Sequence, residues 1–72
     1  MANYGDELKF HRLKANLSQR DLANMIHTSQ QNISRWEKNE VEPSISFCVI
    51  LADYYGITLD ELIGREIKNG RV

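Results

Sequence analysis

Four hydroxyl residues, Ser18, Ser29, Ser44 and Thr58, each stand directly before a short run whose apolar positions recur at helical spacing. This punctuation constrains the chain more than any other feature. Ser and Thr side chains satisfy the free N–H groups of a helix's first turn, so they mark where helices begin. No stretch sustains apolar/polar alternation, no Asn-Gly or Asp-Gly pair joins two apolar runs, and the one proline, Pro43, falls between segments. The expected fold class is all-α: five short helices in one domain over residues 1–72, with a core at about 6–64 and a tail at 65–72.

The first helix is expected from about Asp6 to Ala15, with Leu8, Phe10 and Leu13 as its apolar positions and Asp6 and Glu7 near its positive end. Asn16 follows, a residue that tolerates the left-handed conformation in which helices end. Ser18 and Asp21 form a near-capping box for a second helix whose apolar face is Leu22, Ala23, Met25 and Ile26. His27 and Thr28 break the pattern. Ser29 then caps a third helix running through about Lys38, with Ile33 and Trp36 inward. After a polar connection from Asn39 to Pro43, a fourth helix spans Ile45 to Tyr55 and stops at Gly56. Thr58 and Glu61 make a T-x-x-E capping box for a last short helix through Ile63, ended by Gly64.

At 72 residues the chain buries about 60% of its unfolded surface, which sets an expected stability of ~4–10 kcal/mol. Its longest apolar run, Phe47 to Ala52, is far short of the roughly 20 residues a membrane span needs. No basic leader with an apolar core opens it, so no secretory signal is expected. The lone Cys48 admits no internal disulfide and fits a reducing cytoplasm. The net charge of −1 conceals an asymmetry. From Lys9 to Lys38 six cations face two anions, whereas from Glu40 to Glu66 six anions face one cation. Such a division gives either ordinary solvated surface or a basic face for phosphates opposite an acidic one.

The stretch from Gln19 to Glu37 carries the most information about function. Two short helices are joined by about three residues, with Leu22, Ala23, Ile26, Ile33 and Trp36 apolar or small. So tight a turn makes the helices cross steeply, and Ala23 lets the third approach the second. The outward face of the third helix then carries Gln30, Gln31, Ser34, Arg35 and Lys38. These are mostly long hydrogen-bonding side chains, of which Gln suits adenine and Arg suits guanine in a major groove wide enough to admit a helix.

Leu17-Ser18-Gln19, Asp21-Leu22-Ala23, Thr28 through Glu37, Pro43-Ser44 and Tyr55 through Leu62 stand in the order and spacing of a known family. Over roughly residues 7–64 the chain resembles the Xre/Cro-type helix-turn-helix transcriptional regulators, with their lambda-repressor-like five-helix domain. The resemblance implies a sequence-specific double-stranded DNA-binding regulator, most simply a repressor, that docks its third helix in the major groove as a homodimer on a palindromic operator. It implies that Gln19 bonds a backbone phosphate or braces the first reading residue, and that Gln30, Gln31 and Arg35 meet base edges. Ser29, Asn32, Ser34, Lys38 and Asn39 are implied as phosphate or supporting contacts. Relatives also bridge the positions of Arg12 and Glu37; here the two either pair or stand as independent surface charges.

The chain departs from the family at three places. His27 and Asn16 stand where glycine is frequent, and both are residues enriched at positive φ. Glu40 and Glu42 occupy a loop that in relatives presents basic or neutral groups, which argues against phosphate contacts there. The rival reading from another class is a helical protein-interaction module or antitoxin-type partner that has lost or weakened DNA binding, motivated by the acidic second half.

Neither histidine has companions at metal-ligand spacing, and no nucleophile–base pair can be argued, so no metal, cofactor, small-molecule ligand or enzymatic activity is expected. Along the fourth helix Ile45, Cys48, Leu51, Ala52 and Tyr55 fit an inward stripe. Phe47, Ile50 and Tyr54 form a second one, which either packs against the tail near Ile67 or, with Ile63 as an alternative, provides a self-association surface.

Overall fold

The computed structural model describes residues 3–64. It contains five helices: α1 (Tyr4–Lys14), α2 (Gln19–Ile26), α3 (Gln30–Glu37), α4 (Ile45–Tyr55) and α5 (Leu59–Ile63). No strand occurs among the described residues.

Every helix begins as its cap dictates. Ser18, Ser29, Ser44 and Thr58 each accept a hydrogen bond from the backbone N–H three residues on, at 2.9–3.2 Å. In α2 and α5 the reciprocal bond is present as well: Asp21 accepts from the Ser18 N–H and Glu61 from the Thr58 N–H. Helix α1 starts two residues before the expected Asp6, because Asn3 caps it by accepting from the Asp6 N–H at 3.1 Å.

Four helices end alike. Asn16, His27, Asn39 and Gly56 adopt the left-handed conformation, with φ between 60° and 69°. The next N–H in each case returns five residues to a carbonyl: Leu17 to Arg12, Thr28 to Ala23, Glu40 to Arg35 and Ile57 to Ala52. Asn16 and His27 therefore substitute for glycine as expected. Asn39 does the same at the end of α3, a role the sequence reading left unremarked.

The core is Leu8 from α1, Leu22, Ala23 and Ile26 from α2, Ile33 and Trp36 from α3, Leu51 and Ala52 from α4, and Leu62 from α5. Tyr4, Leu17, Phe47, Cys48, Tyr55, Ile57 and Ile63 pack around it. Helix α3 lies against both α1 and α2, while α5 closes the bundle against α1 and α4.

Several apolar positions differ from expectation. Phe10 and Leu13 are 54% and 53% exposed, Met25 also faces outward, and Ile45 is 80% exposed rather than inward. On α1 the inward face is instead Gly5, Leu8 and Arg12. Phe47 leaves its expected outer stripe, because its ring packs on Trp36 with centroids 5.2 Å apart. Ile50 and Tyr54 are the exposed remainder of that stripe, and Ile63 is half-buried against the core. Any packing of the tail through Ile67 lies outside the described residues.

Candidate nucleic-acid interface

The α2–turn–α3 unit is built from the Ser29 cap backward and forward. The chain leaves α2 through His27 at φ 63°, and Ser29 starts α3 by accepting from the Asn32 N–H at 3.1 Å. Thr28 adds a second tie, accepting from Asn32 Nδ2 at 2.9 Å. With Ala23 and Ile33 each 1% exposed, the two helices meet closely at small and branched residues.

An ion pair fixes α3 against the rest. Arg12 of α1 reaches Glu37 through two bonds, Nε to Oε2 at 2.6 Å and Nη2 to Oε1 at 3.0 Å. Its Nη1 donates to the Leu17 carbonyl at 2.8 Å. Both side chains are largely withdrawn from water, at 7% and 5% exposure, so the two charges that the sequence left either paired or independent form a buried bidentate bridge. Gly5 lets α1 come this close: a β-carbon there would stand 2.5 Å from the Glu37 carbonyl oxygen.

Gln30, Gln31, Asn32 and Arg35 are exposed on α3, Ser34 is half-buried beside them, and Lys38 is exposed as the helix's C-cap. Gln19, at the start of α2, braces Glu37 rather than Gln30, its Nε2 donating to Oε1 at 3.0 Å. Asn39 is tied to the N-terminal side of the molecule, its Oδ1 accepting from the Gly5 N–H at 3.0 Å. No side-chain hydrogen bond or ion pair among the described residues holds Gln30, Gln31, Arg35 or Lys38. Glu40 and Glu42 are exposed in the following loop.

The sequence reading missed Thr28 and Gly5. Thr28 had a local signal, a hydroxyl four residues before an asparagine across a helix start. Gly5 had none, since its value lies in contact with a residue 32 positions away.

On α3, Glu37 is the sole carboxylate, and Arg12 neutralises it. The outward face therefore presents amides, a hydroxyl and cations, a set that can donate to phosphates and pair bidentately with base edges. The Helix-turn-helix family model matches residues 8–62. The chain belongs to the Xre/lambda-repressor-like helix-turn-helix family.

Among relatives, an uncharacterized HTH-type transcriptional regulator of Methanocaldococcus jannaschii is 32% identical over 57 residues, which is 79% of this chain and 86% of that protein. The HTH-type transcriptional activator BcrR of Enterococcus faecalis is 29% identical over 88% of this chain, which spans 31% of the activator's length. Among solved structures, the P22 c2 repressor protein in complex with synthetic operator 9T superposes with a TM-score of 0.81 at 26% identity. That match covers 92% of this chain and 100% of the repressor chain. A transcriptional regulator from Listeria innocua, at 21% identity and a TM-score of 0.82 over 96% of this chain and 66% of that one, shares the fold. No helix among the described residues of this helix-turn-helix protein is long and apolar enough to cross a membrane.

Proposed function

We propose that this helix-turn-helix protein is a transcriptional regulator that binds double-stranded DNA sequence-specifically, with α3 in the major groove, and represses by occupying a palindromic operator as a homodimer. The observation that carries the reading is the α3 surface, where exposed Gln30, Gln31, Arg35 and Lys38 are free of structural duties beside a carboxylate sequestered by Arg12. A helix with its side chains is about 10–12 Å across, which fits a major groove about 12 Å wide. The P22 c2 repressor, bound to operator DNA, supports both the docking and the repressor assignment by its likeness of fold.

Gln19, Ser29, Ser34, Lys38 and Asn39 supply phosphate or supporting contacts in this reading, and Ile50 and Tyr54 on α4 offer an exposed apolar pair for the second copy. The protein acts in the cytoplasm with DNA as its partner, and it performs no catalysis.

Selection of bound duplexes from a random pool at moderate salt tests the proposal. An enriched palindrome with half-sites about one helical turn apart is the expected result. Enrichment of nothing above background would overturn it in favour of a protein-interaction module, for which the exposed Glu40 and Glu42 provide the motive.

A further inference from the structure

The C-terminal ends of α1 and α4 enclose an open cavity of about 440 Å³, lined by His11, Lys14, Ala15, Tyr54, Tyr55 and Ile57. That volume falls in the range of small-molecule sites, about 300–1,000 Å³. No residue of α2 or α3 lines it, so the cavity stands apart from the helix-turn-helix. Its walls come from segments distant in the chain, and spacing along the chain therefore offers no sign of a ligand.

Aromatic rings dominate the wall. His11 stacks on Tyr55 with centroids 5.7 Å apart and planes inclined by 29°, and Tyr54 meets Tyr55 edge-on at 5.3 Å. Phe10 continues the series from outside, edge-on to His11 at 5.2 Å. Rings at these separations make offset and edge contacts that one more flat ring can extend. His11 is anchored, because its Nε2 donates to the Glu61 carbonyl at 3.1 Å. Tyr54 is 50% exposed, which leaves one side of the set uncovered.

Charge narrows the class of ligand. Lys14 is the sole Lys or Arg in the wall, and no carboxylate lines it. The Lys14 ammonium lies 5.9 Å from the centroid of the Phe10 ring, and no carboxylate among the described residues pairs with it. Aromatic walls alone would also suit a cation, but Lys14 already fills that role and repels a second positive charge. One ammonium matches a ligand with one negative charge.

We infer that this cavity binds a small aromatic carboxylate, its ring against Tyr54 and His11 and its carboxylate on the Lys14 ammonium. Such a site needs neither DNA nor a second copy of the chain.

Amide NMR spectra of the full chain, titrated with benzoate, 4-hydroxybenzoate and indole-3-acetate, test the site. At least one of these acids should give saturable shifts centred on residues 11–15 and 54–57, with α3 unmoved. The corresponding carboxamide has the same shape without the charge and should bind about three- to tenfold more weakly. Lys14→Gln should abolish that preference for acid over amide, and Tyr54→Ala should weaken both ligands. Both replaced side chains are exposed, and the spectrum outside the cavity reports that the fold is kept. Saturable shifts from none of the three acids would overturn the assignment. Equal binding of acid and amide, or a preference that survives Lys14→Gln, would overturn it as well, and undiminished binding to Tyr54→Ala would remove the seat given to the ring.

Discussion

Arg12 is the residue on which most of the architecture converges, since it joins α1, the chain after α1 and the end of α3 through three hydrogen bonds. Removing one partner of a buried pair strands the other charge away from water, which costs about 3–5 kcal/mol. Arg12→Ala should therefore lose most of the stability of so small a domain, read as a lower urea midpoint. A simultaneous Arg12→Met, Glu37→Met replacement should recover much of that loss. Tyr55 presents the opposite case. Its hydroxyl is buried with no hydrogen-bond partner among the described residues, and burial pushes its pKa up to about 12. Tyr55→Phe should be neutral or stabilising by up to ~1 kcal/mol, because an unmade hydrogen bond leaves no partner to orphan. The sign of the pH effect follows from the same burial. The unfolded chain ionises near pH 10 while the folded chain keeps its proton, so stability is complete below pH 10 and falls between pH 10 and 12. Burial also raises the Cys48 thiol, so Tyr55→Phe should reduce the alkaline slope of a melting-temperature profile without abolishing it.

At the scale of elements, the helix starts were legible in Ser18, Ser29, Ser44 and Thr58 because a cap is a local interaction spanning three residues. The start of α1 was less so. Asn3 is a good cap, but no strong periodicity follows it, and α1's inward face is Gly5, Leu8 and Arg12, two of which do not register as apolar. Phe10, Leu13, Met25 and Ile45 were misplaced for a related reason. Five short helices enclose too little volume for every large apolar residue, so periodicity alone overfills the core. The caps yield a direct test: Ser29→Ala should cost about 1 kcal/mol, or some 4–8 °C in melting temperature. His27→Gly should move the other way by up to ~1 kcal/mol, since glycine occupies φ 63° without a β-carbon clash. A melting temperature unchanged by His27→Gly would mean that the turn carries no such penalty.

Across the whole molecule, the sequence indicated which residues of α3 face outward but not how that helix is held. The order of motifs placed Gln30, Gln31 and Arg35 on one outward helix surface. The bond from Gln19 to Glu37 and the contact of Gly5 with the end of α3 were invisible, because they join residues 18 and 32 positions apart. Charge distribution gives the prediction at this scale. If a dimer engages ~6 phosphates, log K should fall against log salt with a slope of about −5. Lys38→Ala should weaken all duplexes alike and make that slope shallower by about one per subunit. Titrations of a fixed duplex across salt concentrations would measure both, and a flat response would refute the phosphate-facing assignment of the basic half.

The freedom of Gln31 and Arg35 from any bond within the described fold has an evolutionary reading. On the proposed DNA-binding reading, these two side chains would face the target without holding the fold, whereas Gln19, Ser29 and Asn39 would do both. On that reading, drift at these two positions would change the targets without passing through unstable intermediates. A library randomised there should yield proteins that melt together and differ in the duplexes they retain.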